Sequence, residues 1–566
     1  DDGRNGIPYS DGQPHQATEV SQGITIQHVE LPQDVWQHIY SLLPLRDAAR
    51  AACVSHRFLR FWRCYSNLTF NQETLAANRQ SLRWTEDRGK YVFRKTQQVL
   101  ENHSGVGLKT LRLNLSTCCK EDINPSVLDG WLQAFVKPGL VELTVMLPDS
   151  CANDEYNFPY SILSYDKSGS SATSSVQSLY LASCGFRPIG GPRLLGCSRS
   201  LWKVCLRKVG ITGEELGSFL SCCFALERLD LCNCDVLTSL KIPRLLQKLS
   251  MVRVQMCRAL QTIESDAPNL SNFHCEGAQR ALLSRFSLGD SLETKELDID
   301  ATSMVDVIQY AGIKLPSIAP NLEELVLSTF QEKLKAPPVM FDRFQSLKHL
   351  VICLGEAGGF CTGYDFSSLA CFLDACPALE TFVLRIADGF AWYKKYVIMG
   401  NPDQKDSSQA QHQEMPELRH GGLGNLRTAT ITGFCSAKSL VDLTCHILET
   451  ASSSLQCLTL DASPGYDRKR SAADRCCPMR VDALRDAEVA LAAVRTHVTP
   501  KVPAGVELKV LGPCSQCHAM DAKVMEEEES RVPRRFFQRQ ADGSVALVFE
   551  LYNQFVWDND VLRPEW

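Results

Sequence analysis

The sequence predicts an α/β fold: a small N-terminal helical block followed by an irregular leucine-rich-repeat solenoid, a horseshoe built on parallel strands. Three observations predict it. Between Leu31 and Arg63 apolar residues recur at helical spacing, interrupted by Pro44. From Leu108 onward the strand-forming pattern L-x-x-L-x-L returns about a dozen times. The 566 residues also exceed what one compact core accommodates, so an extended repeat array or several domains are expected.

Residues 1–27 are rich in Gly, Gln and Asp with little apolar content, and read as a disordered leader. They show neither the basic nor the apolar region of a secretory signal. The helical block is expected over 28–70. Pro32 suits a first helical turn, and Val35, Ile39 and Leu42 or Leu43 follow at helical spacing. A second helix runs from Arg46-Asp47 through Ala48, Ala49, Ala52 and Cys53. After Val54-Ser55 a third carries Phe58, Leu59 and Trp62. Three short helices make a marginal core. Leu31, Ile39, Leu43, Leu45, Val54, Phe58 and Trp62 are more large apolar groups than such a bundle hides, and burying each is worth roughly 1.5–3 kcal/mol. The surplus either meets a partner or packs against the downstream domain.

Leu31-Pro32, Asp34-Val35, Ile39, Leu42-Leu43-Pro44-Leu45, Asp47-Ala48, Val54-Ser55, Phe58 and Trp62 together resemble the F-box, with its Leu-Pro, Ile, Leu-Pro, Val-Ser and late Trp. The Ala-rich run Arg46–Ser55 departs from the general pattern and resembles the version seen in many grass F-box proteins. The resemblance implies docking on a Skp-type adaptor, and through it on a cullin. The expected contacts are Leu31, Pro32, Val35, Ile39, Leu43, Pro44, Leu45, Val54, Phe58 and Trp62.

Residues 71–104 are expected to form a linker and the solenoid's N-terminal cap, with a helix over Tyr91–Leu100. The repeats are expected over 105–512. Their motifs begin at Leu108, Leu140, Val176, Leu201, Leu226, Leu246 and Leu270, weaken around Leu292 and Leu297, and recover at Leu322, Leu347, Leu379, Leu426 and Leu455. Cys184 and Cys234 fall where the motif takes Asn or Cys. Two insertions, 149–175 and 387–421, read as loops on a solenoid edge. A helix is expected from Val481 to Val498 and a closing strand at Val506–Val510. The tail, 513–566, mixes an acidic run (Glu526–Glu529) with a basic-aromatic one (Arg534–Phe537), and no structure is assigned to it.

Ile431–Leu440 with Cys445–Glu449 is similar to the late repeats of a grass F-box/leucine-rich-repeat family, and Pro500–Pro503 and Cys514–Cys517 to its end. Its relatives include plant proteins described as meiotic F-box-like. The likeness runs from Leu31 to about Cys517. It implies a substrate-recognition subunit of an SCF-type E3 ubiquitin ligase, whose repeats bind a protein target. A small-molecule-dependent receptor of the plant hormone-receptor kind and a non-ligase scaffold are the alternatives.

Composition narrows the remaining classes. A net charge of -6 argues against a general nucleic-acid or anionic-membrane binder, and no run is long and apolar enough to span a bilayer. The 25 cysteines, spread through a long chain without an export signal, read as reduced and mostly buried thiols, which points to the cytoplasm or nucleus. Phosphate-loop, zincin and serine-hydrolase signatures are absent, so no catalytic residues, cofactor or metal are expected. Cys514-Ser-Gln-Cys517-His518 matches a haem-attachment pattern without its usual context, and supplies one ligand too few for zinc. Within each repeat motif the leucines point inward and the residues between them outward, onto the concave face. That places Lys203, Arg207, Arg228 and Lys248 on one stripe with Asp230 among them, extended by Arg253, and Glu296, Asp298 and Glu324 on another. A basic stripe suits an acidic or phosphorylated target segment; the alternative is a solvated face.

Overall fold

A short segment with an apolar residue at every second position has one sticky face and little stability alone, so each must pair with its neighbour. In the computed structural model of this chain the pairing is unbroken. The structure describes residues 32–75, 85–149, 156–163, 175–188, 200–278, 282, 285–289, 293–301, 307–330, 341–356, 366, 368–388, 423–463, 481–513, 537–539 and 545–547.

Helices α1 (Gln33–Ser41), α2 (Leu45–Ala52) and α3 (His56–Arg63) form the N-terminal block. Strand β1 (Asn67–Phe70) follows at once, then α4 (Gln72–Leu75) and α5 (Thr85–Glu101), the expected cap helix. The repeats continue with β2 (Thr110–Asn114), α6 (Pro125–Phe135), β3 (Glu142–Met146), β4 (Ser178–Ala182), β5 (Lys203–Arg207), α7 (Gly213–Leu220) and β6 (Arg228–Cys232). Next come β7 (Ser239–Ile242), β8 (Met251–Gln255), β9 (Thr262–Ser265), β10 (Asn272–Ala278), β11 (Phe286–Ser287) and β12 (Glu296–Ala301). The last part comprises α8 (Val307–Ile318), β13 (Glu324–Phe330), β14 (His349–Glu356), α9 (Ser368–Asp374) and β15 (Thr381–Asp388). After it come β16 (Thr428–Thr432), α10 (Lys438–Thr450), β17 (Cys457–Asp461), α11 (Val481–Ala493) and β18 (Glu507–Leu511). In the tail, Phe537–Arg539 pairs antiparallel with Val545–Leu547. Most of both insertions lies outside the described residues, as does Cys514–His518.

Among the described residues fifteen strands make one parallel sheet, in the order β1-β2-β3-β4-β5-β6-β8-β10-β12-β13-β14-β15-β16-β17-β18. β1 belongs to it, although its residues lie inside the span the sequence assigns to the helical block; Leu68 and Phe70 pair with Leu111 and Leu113. Register aligns Leu179, Val204, Leu229, Val252 and Phe273 in one inward column and Leu181, Leu206, Leu231, Val254 and Cys275 in the next. All are buried, and each fully buried side chain contributes roughly 1.5–3 kcal/mol, shared between neighbours.

Among the described residues most return segments are helical, but three carry a strand. Strands of the main sheet begin at 228, 251, 272 and 296, and the returns between them carry β7, β9 and β11. These form a second parallel sheet of three strands. Cys184 and Cys234 are buried at the expected turn position, and Cys257 occupies the same place one repeat later. The Cys234 N–H donates to Cys257 Sγ at 3.4 Å, and the Cys234 thiol to the Leu206 carbonyl at 3.5 Å. Among the described residues seventeen cysteines are free thiols, most of them buried. Cys435 differs from the all-reduced expectation, being disulfide-bonded.

Two ladders run along the sheet's ends. After β4, β5, β6 and β8 the next residues, Ser183, Lys208, Asn233 and Met256, all take positive φ. Each N–H then donates to a carbonyl near the end of the following main-sheet strand, Arg207, Cys232, Gln255 and Glu276 in turn, at 2.7–2.9 Å. At the other end Lys295, Glu323, Lys348, Glu380 and Arg427 each precede a strand and alternate in charge. Lys295 and Lys348 reach Glu323 at 3.3 and 2.8 Å and hold its carboxyl below the usual range; Arg427 lies 4.0 Å from Glu380.

Candidate functional site

Two prolines and a serine shape the helical block. Pro32 and Pro44 stand at the N-caps of α1 and α2, where their fixed φ suits the turn into a helix. Ser55 caps α3 by accepting the Arg57 N–H at 3.2 Å. Aromatic rings fill the centre: Tyr40 stacks on Phe58 at 5.9 Å and meets Phe61 and Tyr65 at 5.8 and 6.1 Å. The Tyr40 hydroxyl donates to the Ala48 carbonyl, and burial pushes its pKa up to about 12. Tyr65 donates to the Leu43 carbonyl at 2.5 Å. Past α3 the block is tied to the sheet: the Ser104 N–H and hydroxyl both reach the Arg63 carbonyl, at 2.9 and 2.6 Å, and His103 Nε2 lies 2.9 Å from the Tyr65 carbonyl.

The expected adaptor contacts fall into two sets. Val35, Ile39 and Val54 are 37%, 40% and 84% exposed, and Pro32 and Pro44 are exposed with them. Leu45 and Trp62 are buried in the core that the block shares with the sheet, while Leu43 and Phe58 are half-buried against it. Leu31 lies outside the described residues. The apolar surplus thus divides between packing and display. Leu42, 71% exposed, is absent from the expected contacts yet continues the Val35–Ile39 face at helical spacing. The sequence left Leu42 and Leu43 as alternatives; Leu43 is the one half-buried against the core, and its backbone carbonyl accepts from Tyr65.

On the concave face, Lys203 and Arg207 of β5 are half-exposed and in register with Arg228 and Cys232 of β6. Arg228 is spent within its own strand, its Nε 2.8 Å from Asp230 Oδ2. Lys248 is not on the face. Leu246-Gln-Lys-Leu249-Ser-Met251 and Leu249-Ser-Met-Val252-Arg-Val254 both fit the repeat pattern, and the chain uses the second, so β8 starts at Met251 and Lys248 sits exposed on the turn before it. Arg253 takes the place next to Asp230.

Beside Arg253 stands His274, which the sequence reading did not single out. Its Nδ1 lies 2.7 Å from Asp298 Oδ2, and its Nε2 3.7 Å from Glu276 Oε2. Burial alone would lower the imidazole pKa, but the hydrogen bonds and charges of Asp298 and Glu276 raise it to about 9. Its place between Phe273 and Cys275, both inward, is what identifies it as concave. Among the described residues no group of three or more His, Cys, Asp or Glu is placed to hold a metal, and no helix is long and apolar enough to cross a membrane.

Comparison with known families agrees with this geometry. Residues 99–515, most of the chain, match the At1g61320/AtMIF1 leucine-rich-repeat domain. The chain belongs to that family. Residues 29–68 match the F-box domain, ending inside β1. The expected plant F-box/leucine-rich-repeat membership and the α/β solenoid therefore stand. Both modules mediate protein interactions, so the chain is a protein-interaction adaptor, and F-box domains generally bind Skp-type adaptors. No curated protein matches the chain.

Proposed function

We propose that this F-box/leucine-rich-repeat protein is the substrate-recognition subunit of an SCF-type E3 ubiquitin ligase. Its helical block docks a Skp-type adaptor that links it to a cullin, and its concave sheet holds a protein target, in the cytoplasm or nucleus. The protein itself performs no chemistry in this reading; it brings the target to the conjugating enzyme. The carrying observation is that Val35, Ile39, Leu42 and Val54 are exposed on a block whose other described large apolar groups are packed. Four aliphatic side chains left in water on forty residues are a surface awaiting a partner.

Leu42→Asp, or Val35→Asp with Ile39→Asp, is expected to abolish co-purification of adaptor and cullin while leaving the melting temperature within a few degrees. Leu43 is a poorer probe because its side chain is half-buried against the shared core, so its substitution also disturbs packing. Full adaptor capture by the Leu42→Asp protein would overturn the reading.

A further inference from the structure

The concave face is not uniform, and its differences follow the strand register. Across β10 and β12, Glu276 pairs with Asp300 and His274 with Asp298, while Glu296 and Glu324 are partners across β12 and β13. Five carboxylates thus share three neighbouring strands, about 4.8 Å apart, with one imidazole among them. The row that carries His274 and Asp298 then changes character: its next members are Val326, Val351 and Val383, half-buried aliphatic side chains on the solvent side of β13, β14 and β15.

In the other direction the row reaches Asp230, whose side chain is 5% exposed. One of its oxygens accepts from Arg228; the other, Oδ1, is buried with no hydrogen-bond partner. A buried carboxylate oxygen without a donor is costly. The row therefore holds, besides Arg253 and His274, an acceptor that lacks a donor and a half-buried aliphatic strip, with Glu276, Asp300, Glu296 and Glu324 flanking Asp298.

We infer that the concave face takes an extended protein segment that is basic and aliphatic, its Lys or Arg among Glu276, Asp298 and Asp300 and its aliphatic side chains on Val326, Val351 and Val383. This rests on the target-capture reading above and names the chemistry of the target. His274 is consistent with it: Asp298 and Glu276 keep its imidazole protonated at neutral pH despite burial, and the five carboxylates still outnumber the two cations in register with them, His274 and Arg253. A donor from a second basic residue of the segment would satisfy Asp230 Oδ1. The basic face of β5, Lys203 and Arg207, makes an acidic segment the competing occupant.

The test uses the full chain co-purified with its Skp-type adaptor and two labelled ten-residue peptides, one alternating Lys with Val or Leu, the other with Glu in place of Lys. Fluorescence anisotropy is expected to show binding of the lysine peptide only. Glu276→Gln with Asp298→Asn should weaken it about fivefold to tenfold. Val351→Ser, which leaves the His274 cluster intact, should weaken it independently. The pair Asp486→Asn and Glu488→Gln, exposed on α11, should change nothing. Equal or tighter binding of the glutamate peptide, binding of neither, or equal losses from the α11 pair would each overturn the inference. Adaptor retained in those samples would leave the ligase reading standing; adaptor absent from the parent preparation would remove that reading instead.

Discussion

At the scale of single residues, two positions show how local geometry outweighs residue type. Gly433, which follows β16, has φ +76, and a Cβ there would lie 2.0 Å from the Ile386 carbonyl oxygen. Because that obstacle is backbone, it cannot rotate aside. Gly433→Ala should therefore lower stability by about 2–4 kcal/mol, whereas Gly424→Ala, with nothing in its way, should stay within about 0.5 kcal/mol in denaturant melts. Nothing in the pattern around Gly433 signals this, since the constraint comes from Ile386 on β15, 47 residues earlier in the chain. His274 is the second case. Its folded pKa of about 9 exceeds the ordinary 6.5, so its stabilising effect is complete below about pH 6.5 and is lost as pH rises through 9. Asp298 on β12, Glu276 on its own strand and Arg253 on β8 are the charged groups in register around it. The parent should lose on the order of 2–3 kcal/mol more than His274→Gln between pH 7 and 10. Identical pH profiles for the two proteins would refute the assignment.

At the scale of elements, most of the sheet was legible because L-x-x-L-x-L carries its own register. Leu226–Leu231 and Leu322–Leu327 fall on β6 and β13 with their intervening residues outward. The pattern failed where it was satisfied twice. Around Leu246 two frames differ by three residues, and only the pairing of Met251 with Arg228 selects between them. That slip moved Lys248 onto the face and Arg253 to its margin. Strand β1 was missed for the opposite reason: Asn67-Leu-Thr-Phe70 is too short a fragment of the motif to be recognised, and its place is set by β2. The strands β7, β9 and β11 were hidden too, because an apolar return of a few residues reads alike as helix or strand. The F-box contacts were legible as a set, but their division into packed and displayed residues depends on the core that the block shares with the sheet, which buries Leu45 and Trp62 and half-buries Leu43 and Phe58.

At the scale of the whole molecule, the helical block is an extension of the solenoid's first repeat. The ties from Arg63 and Tyr65 to Ser104 and His103, and β1 in the main sheet, leave no free hinge between them. A chain begun at residue 105, where the repeat motif suggests a boundary, would lose β1 and uncover Leu111 and Leu113 on an open sheet edge. It should aggregate or melt well below the full chain; a soluble, equally stable fragment would show that the block contributes nothing to the solenoid. The continuous register has one more effect. Strands about 4.8 Å apart make the sheet a graduated arc, on which β12 stands eight strands from β1, roughly 40 Å along it. If the ligase reading holds, the strand at which a target is gripped sets how far its lysines stand from the adaptor. The sheet would then act as a ruler, with register deciding which lysine is presented.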